Sequence, residues 1–367
     1  MQFREKMFSF ASFSSHKRSR RDSVQNLCAF STIGLAFLGL WVPVNFVTEE
    51  PGPTFNTIGS YKDQQLIGIE GEKTYPVTGA LDMTTVSVAG GPNTDISAVH
   101  VLSTWLMPDT LVLPSDLVYP HTLTREEVTE QNTVDMANSQ EVAQAAALKY
   151  LGKPFKEKMT VARLTKDNPN SDLIKPGDVL ISLNGQKIEH YEQIAEILSR
   201  TGDKTLDAVI EREGKEEHLS LKPSYDEKNQ KYILGLFLGA TYEFPFKVNY
   251  GLEEVGGPSA GMMFALGIID ELTEKNLTGG KHFAGTGTID AQGHVGEIGG
   301  IAQKMVGARQ SGATTFIAPE KNCGEVIGHI PDGLSVVAVS TLDEAVHAVE
   351  GIAAGKPADS FRQCTDS

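Results

Sequence analysis

Ser259 stands in the string Glu254-Val255-Gly256-Gly257-Pro258-Ser259-Ala260-Gly261, and Lys304 ends the string Gly293-His294-Val295-Gly296-Glu297-Ile298-Gly299-Gly300-Ile301-Ala302-Gln303-Lys304. A serine hydroxyl is a weak nucleophile until a base removes its proton. Gly257 suits a helix N-cap and Pro258 the first helical position, after which Met262, Ala265, Leu266, Ile269 and Leu272 recur as an apolar stripe. This reading places Ser259 in the first helical turn, where free N–H groups and the positive dipole end stabilise an oxyanion. The flanking glycines leave room for a substrate backbone to approach. Gly299-Gly300 opens a second helix with Ile301, Met305 and Ala308 apolar, closed by Gly312, and Lys304 borders its apolar face. Desolvation there disfavours the ammonium and lowers the lysine pKa toward the range a general base needs. Both residues also have plainer uses, the serine as a cap and the lysine as a snorkelling cation. The residues alone leave those uses open.

The elements that must carry this pair follow from patterning along 367 residues, enough for two or three folded units with tethers. Residues 1–22 form a basic tail, with Arg4, Lys6, Lys17, Arg18, Arg20 and Arg21 against Glu5 and Asp22. Residues 23–48 hold no charged side chain, and Leu27 to Val47 is long enough for a transmembrane helix. The exit Val44-Asn45-Phe46-Val47-Thr48-Glu49-Glu50 lacks a small-x-small cleavage site, so the span is expected to remain as an anchor. Basic residues before it and Glu49-Glu50 after it orient the N-terminus to the cytoplasm and everything beyond to the extracytoplasmic side.

Residues 49–150 are expected to connect the membrane to the working domains. Pro51-Gly52-Pro53 starts an extended segment, Ala80 to Ala89 reads as a strand, and Ser139 caps a helix closed by Gly152. Residues 151–225 read as a small β-rich unit. Val161–Leu164 and Val179–Leu183 are strands, Asn184-Gly185 is a hairpin turn, Tyr191–Leu198 is a helix, and Leu206–Glu211 is a further strand. From 226 to 355 strands and helices alternate, starting with Phe246–Tyr250, and 356–367 is a polar tail.

Two of these units carry resemblances. Residues 151–225 resemble a PDZ domain through Pro169-Asn170-Ser171-Asp172-Leu173-Ile174-Lys175-Pro176-Gly177-Asp178-Val179-Leu180, Asn184-Gly185-Gln186-Lys187-Ile188 and Glu211-Arg212-Glu213-Gly214-Lys215. Such domains bind an extended peptide as an added strand beside a helix. The segment Pro154-Phe155-Lys156-Glu157-Lys158-Met159 lacks the glycine-rich loop that holds a ligand carboxylate in many of them. The last third resembles the proteolytic domain of the Lon protease family, and more closely its small membrane-anchored, PDZ-containing (YlbL-like) members. The match runs through Gly257-Pro258-Ser259-Ala260-Gly261, Thr286-Gly287-Thr288-Ile289-Asp290, Val295 to Lys304, Gly312-Ala313 and Pro319-Glu320-Lys321-Asn322-Cys323. The resemblance implies a membrane-anchored serine endopeptidase with Ser259 as nucleophile, Lys304 as base and Thr286 supporting the lysine. It implies an α/β (α+β) Lon-type proteolytic domain after a PDZ-like β-rich domain and one N-terminal transmembrane helix. Peptide or protein substrates are expected, and the family's rings extend the expectation to a homo-oligomer.

Several function classes are disfavoured. The chain carries a net charge of -15 although its first 22 residues are +4, so the remainder at -19 repels phosphates and no nucleic-acid partner is expected. No Gly-x-x-x-x-Gly-Lys-Ser/Thr loop occurs in these residues, so the reaction is expected to need no ATP. No cofactor or metal is expected: His282, His294 and His329 are scattered, and Cys28, Cys323 and Cys364 suit no metal site and allow at most one extracytoplasmic disulfide. Two rival readings stand. Gly257-Pro258-Ser259-Ala260-Gly261 also fits the elbow of a Ser-His-Asp esterase with Asp332 and His347, although Glu253-Glu254-Val255-Gly256 is poor material for the strand that must precede it. The chain also fits a catalytically silent membrane scaffold that uses its PDZ-like unit alone.

Overall fold

The computed structural model describes residues 20–92, 94–120, 123–166, 168–188, 191–252 and 255–365. Arg4, Lys6, Lys17 and Arg18 of the expected basic tail, and Glu253-Glu254, lie outside them. The chain divides into two units, residues 1–50 with 88–125, and residues 51–87 with 126–367.

Helix α1 (Arg20–Leu40) forms where the charge-free segment begins, but it ends eight residues before the expected limit at 48. Pro43 has no N–H to donate and restricts the residue before it, and the β-branched valines around it favour extension. The chain therefore leaves the helix and enters strand β1 (Phe46–Asn56), which contains Pro51-Gly52-Pro53. Polar Gln25, Asn26, Ser31 and Thr32 also dilute the apolar run. No helix among the described residues is long and apolar enough to cross a membrane. After β2 (Ile67–Glu70) and β3 (Ala80–Gly90), Ser97 caps α2 (Ala98–Trp105) by accepting from the His100 N–H. Strand β4 (Leu111–Pro114) pairs antiparallel with the start of β1.

Helix α3 (Arg125–Tyr150) starts fourteen residues before Ser139 (139 − 125), which therefore lies inside it and caps nothing. Glu126 and Glu127 in its first turn complement the dipole. Ala143, Ala146, Ala147 and Leu148 are buried in the main core with Phe55, Leu66, Leu81 and Met83. Residues 51–87 and 126–150 are thus part of the main core rather than a connecting region, as the sequence had suggested.

The small β unit is β5 (Lys156–Leu164), β6 (Val179–Leu183), α4 (Tyr191–Thr201), β7 (Leu206–Arg212), β8 (Lys215–Leu221) and β9 (Leu236–Glu243). Asn184 and Gly185 adopt the paired positive φ values, 49° and 75°, of a tight hairpin turn after β6. The sheet order is β8-β7-β6-β5-β9, and its own core includes Val161, Leu180, Ile197, Leu206 and Ile210. Arg212 donates from Nε and Nη2 to the two carboxylate oxygens of buried Asp178 at 2.8 and 2.6 Å. Burial raises the Asp178 carboxyl, but Arg212 and the Lys175 N–H outweigh that and hold it below its usual range. The boundary expected at 225 is corrected by β9, which pairs antiparallel with β5 from Leu236↔Leu164 to Glu243↔Lys156 and closes the sheet at 243. In sequence its alternation is indistinguishable from the α/β pattern that follows. The glycine turn before this terminal strand is Leu234-Gly235, not the Pro154–Met159 segment.

Strand β10 (Lys247–Tyr250) pairs back onto β2. Helix α5 (Gly261–Leu272) follows, with every residue buried, so the stripe expected on one face understates a helix enclosed on all sides. Strands β11 (His282–Gly285), β14 (Thr315–Pro319) and β15 (Ser335–Val339) run parallel, with β11 also parallel to β3. Between them lie the short hairpin β12 (Thr288–Ile289) and β13 (Val295–Gly296), then α6 (Ile301–Gln310). Helix α7 (Leu342–Ala353) starts at Thr341, whose hydroxyl accepts from the Glu344 N–H. A Cys323–Cys364 disulfide ties the C-terminal tail to the segment after β14.

Two carboxylates end α5 inside the core. Burial pushes Asp270 up to about 6 and, with the neighbouring Asp270 charge, Glu271 up to about 7. Asp270 Oδ1 accepts from the Leu277 N–H at 2.6 Å, while Oδ2 has no partner. A carboxyl raised in the fold stabilises it fully below the unfolded pKa of about 4, and this contribution is lost as pH rises through the folded value. Thermal stability is therefore expected to fall between about pH 4 and 7 from these groups. Asp270→Asn, measured by melting across that range, should flatten the fall and raise the midpoint by a few degrees at pH 8.

Candidate active site

Ser259 lies in the turn just before α5, whose N-cap is Ala260, so the helix starts later than Gly257-Pro258 had implied. The cause is a competing set of bonds. The Gly287 N–H and the Thr286 hydroxyl donate to the Ser259 carbonyl at 2.8 and 3.0 Å, and the Met262 N–H donates to the Gly287 carbonyl at 3.1 Å. These pull residues 258–260 against the chain leading into β12. The flanking glycines answer to this geometry more than to substrate access. Gly257 has φ +88° with open space beside it, so conformation requires glycine there. A Cβ on Gly261 would sit 2.9 Å from both Ile289 Cγ2 and Ser139 Oγ, so close packing requires glycine there.

Lys304 comes from the first turn of α6. Gly300 starts that helix at φ +66°, and the Lys304 N–H donates to the Gly300 carbonyl at 3.0 Å. Ile301, Met305 and Ala308 are fully buried, as their spacing predicts, and Lys304 is only 3% exposed. The amine is thus held inside rather than snorkelling outward. Its Nζ donates to Ser259 Oγ at 2.9 Å and to Thr286 Oγ1 at 3.1 Å. Thr286, fully buried, accepts from the lysine while donating to the Ser259 backbone, so one hydroxyl orients both partners.

Asn322 sets the approach to α6. Its Oδ1 accepts from the Ile298 N–H at 3.0 Å and its Nδ2 donates to the Ile298 carbonyl at 2.8 Å. In sequence its signal is its place in the Pro319–Cys323 stretch of the resemblance. Asn132 and Ser139 of α3 also reach the serine loop, and nothing local in sequence marks them. The Gly257 N–H donates to the Asn132 carbonyl at 2.9 Å, and Ser139 Oγ donates to the Pro258 carbonyl at 3.0 Å.

The esterase residues are not gathered here. His347 packs edge-on against Phe361, and the Asp332 carbonyl accepts from Arg309. Among the histidines named from sequence, His282 pairs with Asp82 and His294 with Asp290, both at 2.8 Å. A cavity of about 720 Å³ is lined by Glu141 and Val142 of α3, Tyr242 of β9 and Ile289 to Gln292, a few residues beyond Thr286 in the chain. Burial, together with the charges of Glu157, Glu141 and Asp290, pushes the Tyr242 phenol up to about 12.

Comparison with known proteins bears on this geometry. Residues 247–350 match the Lon protease (S16) C-terminal proteolytic domain. Lon protease 1 of Bacillus subtilis (strain 168) is 32% identical over 141 residues, which are 37% of this chain and 16% of that protein. Lon protease 2 of Herpetosiphon aurantiacus is 39% identical over 93 residues, 24% of this chain and 11% of that protein. The chain thus spans less than a fifth of the length of these relatives. Among solved structures, the PDZ domain of the SdrC-like protein from Listeria monocytogenes aligns with 22% of this chain and 85% of its own, at 18% identity and a TM-score of 0.21. The segment that brings Ser259, Thr286 and Lys304 together is thus similar to a Lon-type (S16) proteolytic domain.

Proposed function

We propose that the chain is an ATP-independent serine endopeptidase in which Ser259 and Lys304 form the catalytic dyad. The observation that carries this reading is the 2.9 Å contact between a buried lysine amine and the serine hydroxyl. A base must be within hydrogen-bond reach of the proton it abstracts, and this contact places the amine there. Lys304 takes the Ser259 proton as the oxygen attacks the peptide carbonyl, and the start of α5 behind it stabilises the negative oxygen. The lysine then gives that proton to the departing amine, leaving an acyl group on Ser259. Water, deprotonated by the same lysine, releases it. Thr286 keeps the amine aimed at the hydroxyl throughout.

Flexible peptides or exposed protein segments fit a chain in which no ATP-binding loop occurs. The terminal strand β9, with its glycine turn at Gly235, offers an edge for an added strand, as PDZ-like units use. It also lines the cavity next to Ile289, so a peptide presented there arrives beside the serine loop.

Membrane attachment through α1, with the peptidase outside the cytoplasm, completes the proposal. Residues 23–40 carry no charge, and Leu27, Phe30, Ile33, Phe37 and Leu38 are all exposed. Both tryptophans of the chain, Trp41 and Trp105, are also exposed, at 62% and 69%, near the C-terminal ends of α1 and α2. Aromatic belts of this kind mark membrane interfaces.

Three outcomes are expected. Cleavage of an unstructured protein without ATP should vanish in Ser259→Ala and fall by about 10³-fold in Lys304→Met, while His347→Ala retains it; activity that survives Lys304→Met sinks the dyad. The rate should rise with pH as the lysine loses its proton, and an acidic optimum would contradict a lysine base. The full chain should float with liposomes and a variant lacking residues 1–42 should not; equal flotation would remove α1 as the anchor.

A further inference from the structure

A serine inside a helix ordinarily returns its hydroxyl to the carbonyl one turn earlier. Ser139 of α3 instead donates across 119 residues of sequence to the Pro258 carbonyl at 3.0 Å, and it is only 6% exposed. The Pro258 carbonyl belongs to the peptide plane that ends at the Ser259 nitrogen. The next plane, which begins with the Ser259 carbonyl, is held from the opposite side by Thr286 and Gly287. A peptide unit is planar and rigid, so fixing both planes that meet at one Cα fixes its φ and ψ. Those angles set where the Cβ of Ser259 points, and Lys304 then holds Oγ in one rotamer about it. The same helix holds the chain that leads into this link. Asn132 accepts from the Gly257 N–H at 2.9 Å, Gln144 donates to the Phe246 carbonyl at 3.1 Å, and Tyr250 donates to the Gln140 carbonyl at 3.0 Å.

We propose that Ser139 is a positioning residue for the nucleophile: its hydroxyl fixes the plane entering Ser259 and so holds Oγ at Lys304. Ser139 lies outside the segment matched by the proteolytic-domain family, so the support of Ser259 extends beyond that segment. This rests on the Ser259–Lys304 peptidase reading. Small misplacements of a reacting group are costly, so kcat for an unstructured substrate should fall about tenfold or more in Ser139→Ala with KM unchanged. The pH midpoint should stay in place because the lysine is untouched.

Gln144→Ala removes a buried hydrogen bond of the same kind from the same helix, away from the serine loop. It should lower stability while kcat is retained. Amide exchange read across residues 256–262 should accelerate several-fold in Ser139→Ala and stay as in the wild type in Gln144→Ala. Wild-type kcat or unchanged exchange in Ser139→Ala overturns the proposal, as does an equal kcat loss in Gln144→Ala. Exchange needs no turnover, so it decides the role of Ser139 even where the absence of cleavage by the wild type refutes the peptidase reading.

Discussion

A lysine amine held out of water within hydrogen-bond distance of a serine hydroxyl is the constraint on which this architecture depends. Desolvating an amine is unfavourable, and surrounding structure must enforce it. Here α6 does so by burying Ile301, Met305 and Ala308 alongside Lys304. The entry to α6 is locked in turn: Gly300 supplies the left-handed start, Asn322 clamps Ile298 by both of its backbone groups, and the next residue, Cys323, is bonded to the tail at Cys364. Each of these features removes freedom from the backbone that leads to one amine.

The serine side is held by elements far apart in sequence. Helix α5, enclosed on every face, sets the floor beneath Ser259. The turn itself is clasped between α3 and the chain entering β12, through Ser139 and Asn132 on one side and Thr286 and Gly287 on the other. The small β unit leaves the chain immediately after α3 and returns it just before β10 and the serine loop. The core is therefore completed only when residues 51–87 and 126–150 meet those from 246 onward. Contacts of such long sequence separation favour slow, cooperative folding.

What could be read from the linear chain was whatever local physics dictates. The Gly299-Gly300 start before Lys304, the apolar spacing of Ile301, Met305 and Ala308, and the Asn184-Gly185 turn each act within a few residues, and each appears in the structure where its chemistry requires. Readings failed where a distant partner outweighed a local preference. Ser139 favours a cap, but a 26-residue helix with its buried face passes through it. Gly257-Pro258 favours a helix start, but Thr286 and Gly287 capture the Ser259 carbonyl first. The strand β9 resembled its followers in composition, and only its pairing with β5 assigns it to the small sheet. The charge-free run after residue 22 suggested a helix to 48, but Pro43 and the pairing of Phe46 to Glu49 with β4 end it at Leu40.

The amino-acid sequence by itself therefore offered the candidate groups, a serine after paired glycines and a lysine on an apolar helix face, while the resemblance added Thr286. Those are properties of residue type and short-range spacing, which no later event in folding changes. Tertiary structure alone decided that Lys304 Nζ lies 2.9 Å from Ser259 Oγ, that Thr286 joins them, and that α3 supports the serine. These contacts span up to 119 residues, and their geometry exists only once the burial of α5 has drawn the separate segments into one core.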